Sequence, residues 1–394
     1  MMLEREFAIP IAEEKILKVI SSLSLTSFIE HMNSSPTVAI CTLRNSVGST
    51  VAEGAGKGRY CRVGALAESV EHYVLDNCSP EELTSRAIYD VRGQPSIKGD
   101  GILVNLPASG TLIDCAEMEG VQSDTKILVP AALLMPNTPT NEGPVPHETS
   151  FLARYATNSG IAFGCSEQEA LLHGLNEALE RHMFSKILMS LCGQHEPIAL
   201  NSLNVEMSEA LFSDHLEFYP IAAQMKIIVA ETMHGVYFSM AIPKRPDGRY
   251  KVCPVGSGCS LDARTAIKRA ATELHQTMLL YDDSEQDTDY RAHTLLNHSS
   301  ALRPLIQLEA LRNVPATVKR LEPARRLSVA DQIDLIIEGM STTGLKAYQR
   351  TLSHFPNGCA VMQIYVPGLE RFNLIRSGVP VIPQHLLRAN SSLE

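Results

Sequence analysis

Asn158-Ser159-Gly160-Ile161-Ala162-Phe163-Gly164, followed by His173-Gly174-Leu175-Asn176-Glu177-Ala178-Leu179-Glu180-Arg181, is the stretch on which the fold and the chemistry turn. It reads as a small-residue loop running into a helix that carries two carboxylates three positions apart. Residues three or four apart share one helix face, so Glu177 and Glu180 present their charges together. Side by side on a bare helix they repel mildly. A hard divalent cation relieves that repulsion, and glycines ahead of a helix let backbone N–H groups approach phosphate oxygens.

The same order recurs on both sides. Upstream, Gly56-Lys57-Gly58 precedes Gly64-Ala65-Leu66-Ala67-Glu68-Ser69-Val70-Glu71-His72. Downstream, Gly256-Ser257-Gly258 precedes Arg269-Ala270-Ala271-Thr272-Glu273-Leu274-His275-Gln276. Two copies carry Glu-x-x-Glu and the third Glu-x-x-Gln. One Glu-x-x-Glu is ordinarily a solvated helix face; three loop-then-helix copies point to a metal–nucleotide site, with Lys57 as a point charge for phosphate.

Outward from these segments the chain alternates element types. Val- and Ile-rich runs predict strands at Thr37–Leu43, Gly101–Leu106, Lys126–Leu134, Lys226–Glu231, Val236–Ile242 and Cys359–Val366. Helical periodicity predicts helices at Ala65–Leu75, Glu167–Leu191, Ala263–Tyr281 and Ala330–Met340. Met135–Pro146 and Asp282–Ser300 are expected to be surface loops. An α/β (α+β) fold with large sheets packed against helices follows. The 394 residues are expected to form one domain: an N-terminal portion to residue 50, a nucleotide-binding core over 51–281 and a C-terminal portion from 282.

Composition removes several classes. A net charge of −10 with no basic stripe argues against nucleic acid. No run of about 18 apolar residues suggests a membrane span. The acidic start (Glu4, Glu6, Glu13, Glu14) is unlike a secretory signal. Nine scattered cysteines without a Cys-x-x-Cys pair argue against a disulfide framework or a structural zinc site, so a cytoplasmic protein is expected. Cys165 and Cys259 follow glycines ahead of helices, where a thiol can be activated; the alternative is a small buried residue at the turn.

Taken together the three segments resemble the YcaO family. Lys57 stands seven residues before Gly64, where the family often has Ser; Glu68 and Glu71 match, and His72 replaces Arg. Asn158, Gly160, Ala162, Gly164, Glu177, Glu180 and Arg181 follow the second motif, with Ser159 inserted and His182 in place of Asp. Arg269, Glu273 and Gln276 follow the third, and Val366-Pro367-Gly368-Leu369-Glu370 resembles a further family segment. The resemblance implies an ATP site between helices. It implies Mg2+ held by Glu68, Glu71, Glu177, Glu180 and Glu273, with Lys57, Arg181 and Arg269 toward phosphate and Gln276 and Asn158 toward the nucleotide. Arg181 and Arg269 are the candidate catalytic cations, and Gly64 belongs to the phosphate loop.

The family's chemistry implies attack of a nucleophile on an amide carbonyl, phosphorylation of the resulting oxygen and departure of phosphate. A Cys, Ser or Thr side chain as nucleophile gives an azoline; sulfide gives a thioamide; an amine gives an amidine. A peptide backbone is the expected substrate, delivered by a capture or sulfur-donating partner to a homodimer. Thionation of a small cyclic amide such as a purine, and a non-catalytic nucleotide-binding role, are the alternatives. Relatives that form azolines often end in Pro-x-Pro-x-Pro, whereas this chain has Val379-Pro380-Val381-Ile382-Pro383-Gln384.

Overall fold

A computed structural model describes residues 4–32, 35–135, 146–213, 217–232, 235–318, 320–322 and 325–391. The chain opens with α1 (Ile9–Ser22), β1 (Thr26–His31), β2 (Val38–Arg44), β3 (Thr50–Lys57) and α2 (Cys61–Asp76). It continues through β4 (Thr84–Ala87), α3 (Ile88–Arg92), β5 (Leu112–Gly120), β6 (Lys126–Pro130), α4 (Ala131–Leu134), β7 (Ile161–Gly164) and α5 (Glu167–Leu191). A third stretch holds β8 (Asn201–Ser202), α6 (Val205–Phe212), α7 (Tyr219–Ala222), β9 (Met225–Glu231), β10 (Tyr237–Pro243), β11 (Gly256–Ser260) and α8 (Ala263–Leu279). The last holds α9 (Asp283–Asn297), α10 (Pro304–Gln307), α11 (Glu309–Arg312), α12 (Val329–Thr342), β12 (Tyr348–His354), β13 (Ala360–Tyr365) and α13 (Gln384–Ser391).

The strands form three antiparallel sheets. Their orders are β1-β2-β3; β4-β5-β12-β13-β7 with β6 paired to β5; and β11-β10-β9-β8. Each sheet therefore ends on a strand, β3, β7 or β11, that is followed within a few residues by a long helix. The glycines make this possible. A Cβ on Gly56 would lie 1.7 Å from the Cys61 carbonyl oxygen, one on Gly164 2.3 Å from the Ala170 nitrogen, and one on Gly256 2.2 Å from the Leu274 nitrogen. Backbone thus lies on backbone, an approach that only a residue without a side chain permits.

These segments are a correction to the expected loops: Gly56, Lys57 and Gly256–Gly258 are strand, and Gly58 alone begins a short 3-10 turn. Two other expectations fail. Gly101–Leu106 is not a strand, because the buried Asp100 carboxylate accepts the Ile102 and Leu103 N–H groups and winds the run into a 3-10 turn. Asp282–Ser300 is mostly α9, started by the Asp282 side chain accepting from the Glu285 N–H and seated by Ala292 and Leu296. Lys126–Leu134 splits into β6 and α4. The Met135–Pro146 loop falls almost wholly on residues outside the described ones. The four predicted helices are present, Glu167–Leu191 to the residue.

Each helix has its own core. Leu66 and Val70 of α2 pack with Cys41 and Leu43 of β2. Leu172, Leu175 and Leu179 of α5 pack with Ile364 of β13 and with Ile333 and Ile336 of α12. Ile267, Ala270 and Leu274 of α8 pack with Ile227 and Ala241. A leucine buried this fully contributes about 1.5–3 kcal/mol. The helices also lean on one another's sheets in a cycle: α2 packs on β7, α5 on β11 and α8 on β3. Among the described residues no helix is long and apolar enough to cross a membrane.

Candidate nucleotide and metal site

The cycle brings the three Glu-x-x-Glu/Gln faces together. The first acidic residue of each pair is held by its own unit's backbone: the Ala55 N–H donates to Glu68 at 3.3 Å and the Gly160 N–H to Glu177 at 3.2 Å, and Glu273 takes a backbone bond from Ser257. The second residue reaches the next unit. Glu71 accepts from the Phe163 N–H at 3.0 Å, Glu180 from the Ser257 hydroxyl at 2.6 Å, and Gln276 Nε2 donates to the Ala55 carbonyl at 2.8 Å. Phe163, Ser257 and Ala55 are each the middle residue of a small-x-small triplet, flanked by Ala162 and Gly164, Gly256 and Gly258, and Gly54 and Gly56. The chemistry also explains the third motif's glutamine. Its partner is a carbonyl, which needs a donor, whereas the other two partners are donors that a carboxylate accepts.

Electrostatics joins the carboxylates into a closed ring. Burial, then Glu177 and Glu68, holds Glu71 well above its ordinary range. Burial pushes Glu177 up to about 7; Arg181 pulls it down, and Glu180 and Glu273 add to the rise. Burial and then Glu273 raise Glu180. Burial raises Glu68 against His72 and Lys57, with Glu273 adding to the rise. Burial also pushes Glu273 upward, yet Lys57 and then Arg181 carry it below its usual value. Lys57 Nζ lies 2.6 Å from Glu273, which is why Glu273 is drawn below its usual value while its neighbour Glu180 is pushed above it. Arg181 lies 3.7 Å from both Glu177 and Glu180, and those charges keep it protonated despite burial.

Five carboxylates sense one another here and two cations, Lys57 and Arg181, offset them. This donor set fits Mg2+ with a polyphosphate: hard oxygen ligands whose mutual repulsion a divalent ion relieves. Among the described residues no three His, Cys, Asp or Glu side chains are already gathered as a protein-only cage. Mg2+ is commonly held without one, by one or two carboxylates plus phosphate oxygens.

The other candidates sit around the ring. Asn158 lines an open cavity of about 740 Å³ beside Glu53 and His72. A second pocket, lined by Arg181, Ser159, Glu370 and Arg371, shares Thr157 and Leu374 with it. Gly64 approaches β3, where a Cβ would stand 3.3 Å from the Gly56 Cα, so helix–strand contact explains its small size. His72 lies 3.9 Å from Glu68, and His182 accepts the Glu370 N–H at 3.0 Å, so both departures from the family pattern have partners. Arg269 is turned to Glu4 at 2.5 Å and donates to the Cys259 carbonyl at 2.9 Å. Cys165 and Cys259 are buried, and both thiols are pushed far up, Cys165 by its bond to Cys359 and by burial, Cys259 by burial and Glu180. Neither is an activated thiolate.

Sequence reasoning missed Ser257, Phe163 and Ala55, although the Gly-x-Gly spacing marked two of the three. It also missed Glu4, Glu169 and His173. Nothing in spacing signals Glu4, whose partner lies 265 positions away in sequence, at Arg269.

The profile of the YcaO cyclodehydratase family, described as ATP- and Mg2+-binding, matches residues 55–370. An uncharacterized protein in the tfuA 3' region of Rhizobium leguminosarum bv. trifolii is 24% identical over 84% of this chain and 80% of its own length. An uncharacterized protein of Methanothermobacter thermautotrophicus is 22% identical over 81% and 82%. YcaO from Methanopyrus kandleri, solved with AMPPCP and Mg2+, superposes with a TM-score of 0.62 over 97% of both chains at 18% identity. A heterocyclase in complex with substrate and cofactor gives 0.64 over 93% of this chain, which spans about half (52%) of that one, at 18% identity. Matching over most of its length, including all three carboxylate helices, the chain belongs to the YcaO family of ATP- and Mg2+-binding enzymes.

Proposed function

We propose that this enzyme activates the oxygen of a peptide-backbone amide for replacement by a nucleophile, making a thioamide or an azoline in a natural product. ATP-dependent amide activation in general comes with family membership; the residue roles and the product are our assignment. The observation that carries it is the closed carboxylate ring with Lys57 and Arg181 set into it.

In this reading Glu68, Glu71, Glu177, Glu180 and Glu273 hold Mg2+ and, through it, the triphosphate. ATP supplies the phosphoryl group that turns a poor leaving group, the amide oxygen, into a good one. Lys57 and Arg181 supply positive charge beside the carboxylates, where charge developing during phosphoryl transfer is stabilised. Ser257 and the Phe163 and Gly160 N–H groups hold the carboxylates in place. The pocket lined by Arg181 and Arg371, which shares Thr157 and Leu374 with the cavity at Asn158, is our candidate position for the amide. With Cys165 and Cys259 buried, the nucleophile comes from the substrate or from a separate donor protein. A heterocyclase solved with substrate and the E. coli microcin synthetase McbBCD complex with pro-MccB17 bound support a peptide substrate and partner proteins.

The Val379–Pro383 segment departs from the Pro-x-Pro-x-Pro pattern of many azoline-forming relatives, which in our reading weighs against azoline formation. It is tied down rather than free: Tyr155 Oη accepts the Ile382 N–H at 3.0 Å, and the buried Gln384 is held by Glu370 and the Leu369 carbonyl.

The test is Mg2+-dependent ATP turnover with a candidate peptide, with and without sulfide, read also by mass spectrometry. Exchange of oxygen for sulfur is expected with sulfide, and loss of water identifies an azoline. Glu177→Gln and Glu180→Gln are each expected to lower turnover at least about 100-fold, since each removes a ligand that acts in phosphoryl transfer. Unchanged turnover in both variants overturns the site assignment.

A further inference from the structure

Arg269 falls four residues before Glu273 on the third helix, at the position held by Gly64 and His173 in the first two units. It is turned away from solvent only in part, at 31% exposed, and it feels the charge of Glu180 of the ring. What fixes it is the N-terminal strap of residues 4–7. Glu4 is 5% exposed: its Oε1 accepts from the Ser260 hydroxyl of β11, and its Oε2 lies 2.5 Å from Arg269 as an ion pair without a formed hydrogen bond. The strap is itself anchored. The Glu6 and Phe7 N–H groups donate to the buried Glu169 carboxylate at 2.5 and 3.3 Å, whose other oxygen takes the Cys165 N–H. His173 bonds the backbone at both Phe163 and Glu4.

We propose that Glu4 is a positioning residue of the nucleotide site. Through a two-point clamp completed by the Cys259 carbonyl, it orients the Arg269 guanidinium so that its remaining N–H groups face the triphosphate. This rests on the reading of the ring as a Mg2+–ATP seat. A guanidinium carries five donors in a rigid fork. The Cys259 carbonyl takes one of them and the Glu4 carboxylate lies against the fork as its counter-charge, and together they restrict its orientation. Because Glu4 is pinned by Ser260 on a strap pinned by Glu169 and His173, it does not behave as a displaceable competitor for Arg269. The strap lies outside the segment matched by the family profile, which starts at residue 55, so the site draws on residues beyond it.

The experiment is calorimetric titration of AMPPCP with Mg2+ into the full chain, for the native protein, Glu4→Ala, Glu4→Gln, Arg269→Ala and the double variant Glu4→Ala/Arg269→Ala, with melting temperatures measured in parallel. Loss of the Glu4 counter-charge and of its bond to Ser260 predicts affinity about tenfold weaker for Glu4→Ala. Glu4→Gln, which keeps an acceptor for the Ser260 hydroxyl and the side-chain shape beside Arg269 but not the charge, is expected to recover part of it. The double variant is expected to bind no worse than Arg269→Ala alone. If Arg269→Ala weakens binding while both Glu4 variants match the native protein, the strap proposal is overturned and the seat stands. Tighter binding in the Glu4 variants overturns it in favour of a competing strap. If Arg269→Ala binds as the native protein does, the Arg269 part of the seat falls, and the proposal with it. A fall in melting temperature with unchanged affinity marks Glu4 as structural only.

Discussion

Glu177 shows at single-residue scale how the ring couples protons to cations. Its carboxyl titrates near 7 chiefly because burial disfavours the charge, with Glu180 and Glu273 adding to the rise. A carboxyl raised in the folded state stabilises the fold fully below its unfolded pKa, and that contribution is lost as pH rises through the folded value. The ligand-free enzyme is therefore expected to lose stability between about pH 4.5 and 7 from this group. A divalent cation reverses the preference and expels the proton. Binding of Mg2+ with nucleotide is predicted to tighten as pH rises through 7 and to release protons, seen as a buffer-dependent heat in calorimetry. Glu177→Gln flattens that dependence. The same variant is expected to raise the melting temperature of the ligand-free protein at pH 8 by the equivalent of about 1 kcal/mol, because an ionic repulsion is gone. A melting temperature that falls instead means that Glu177 holds the fold together. The carboxylates and their spacing were readable in sequence. Their protonation was not, because it depends on neighbours drawn from three separate helices.

At the scale of elements, the glycine-rich segments teach the most. Gly-Ala-Gly-Lys and Gly-Ser-Gly-Cys-Ser carry none of the Val, Ile or aromatic content that marks a strand, and they read as loops. They are strands because the following helix lies directly on them, a tertiary fact that local propensity does not encode. The acidic α9 escaped for the opposite reason: only Ala292 and Leu296 are fully buried, with Leu295 partly so, too thin a stripe to show as periodicity. Helices with broad apolar faces, such as Glu167–Leu191, were legible almost to their ends. The close approach gives a direct prediction. Gly256→Ala places a methyl 2.2 Å from backbone atoms of α8 and is expected to cost about 2–4 kcal/mol in chemical denaturation, whereas Gly99→Ala, with nothing within 4 Å, stays within about 0.5 kcal/mol. Equal effects of the two would show that β11 and α8 can separate at little cost.

Across the whole molecule, three sheets meet through three helices, and the proposed nucleotide seat belongs to none of them alone. Sequence displayed the threefold recurrence of the motif; the cyclic packing of α2 on β7, α5 on β11 and α8 on β3 is what converts it into a site. A ligand touching all three units stabilises the assembly as one. Mg2+ with AMPPCP at about 100 times its dissociation constant is predicted to add about 2.7 kcal/mol and to shift a single melting transition upward. Nucleotide without Mg2+ is expected to give no such shift, since it brings further negative charge to a ring of carboxylates. Two separating transitions on ligand addition would mean that one unit lies outside the seat.

The middle unit has a further property. β7, residues 161–164, finds its hydrogen-bonding neighbour in β13, residues 360–365. During synthesis the segment that carries Phe163 and Gly160 waits for nearly two hundred more residues before its sheet can close. A ribosome-bound chain already displaying all three acidic helices still lacks a finished cradle, so nucleotide capture is a late event in the life of the nascent polypeptide.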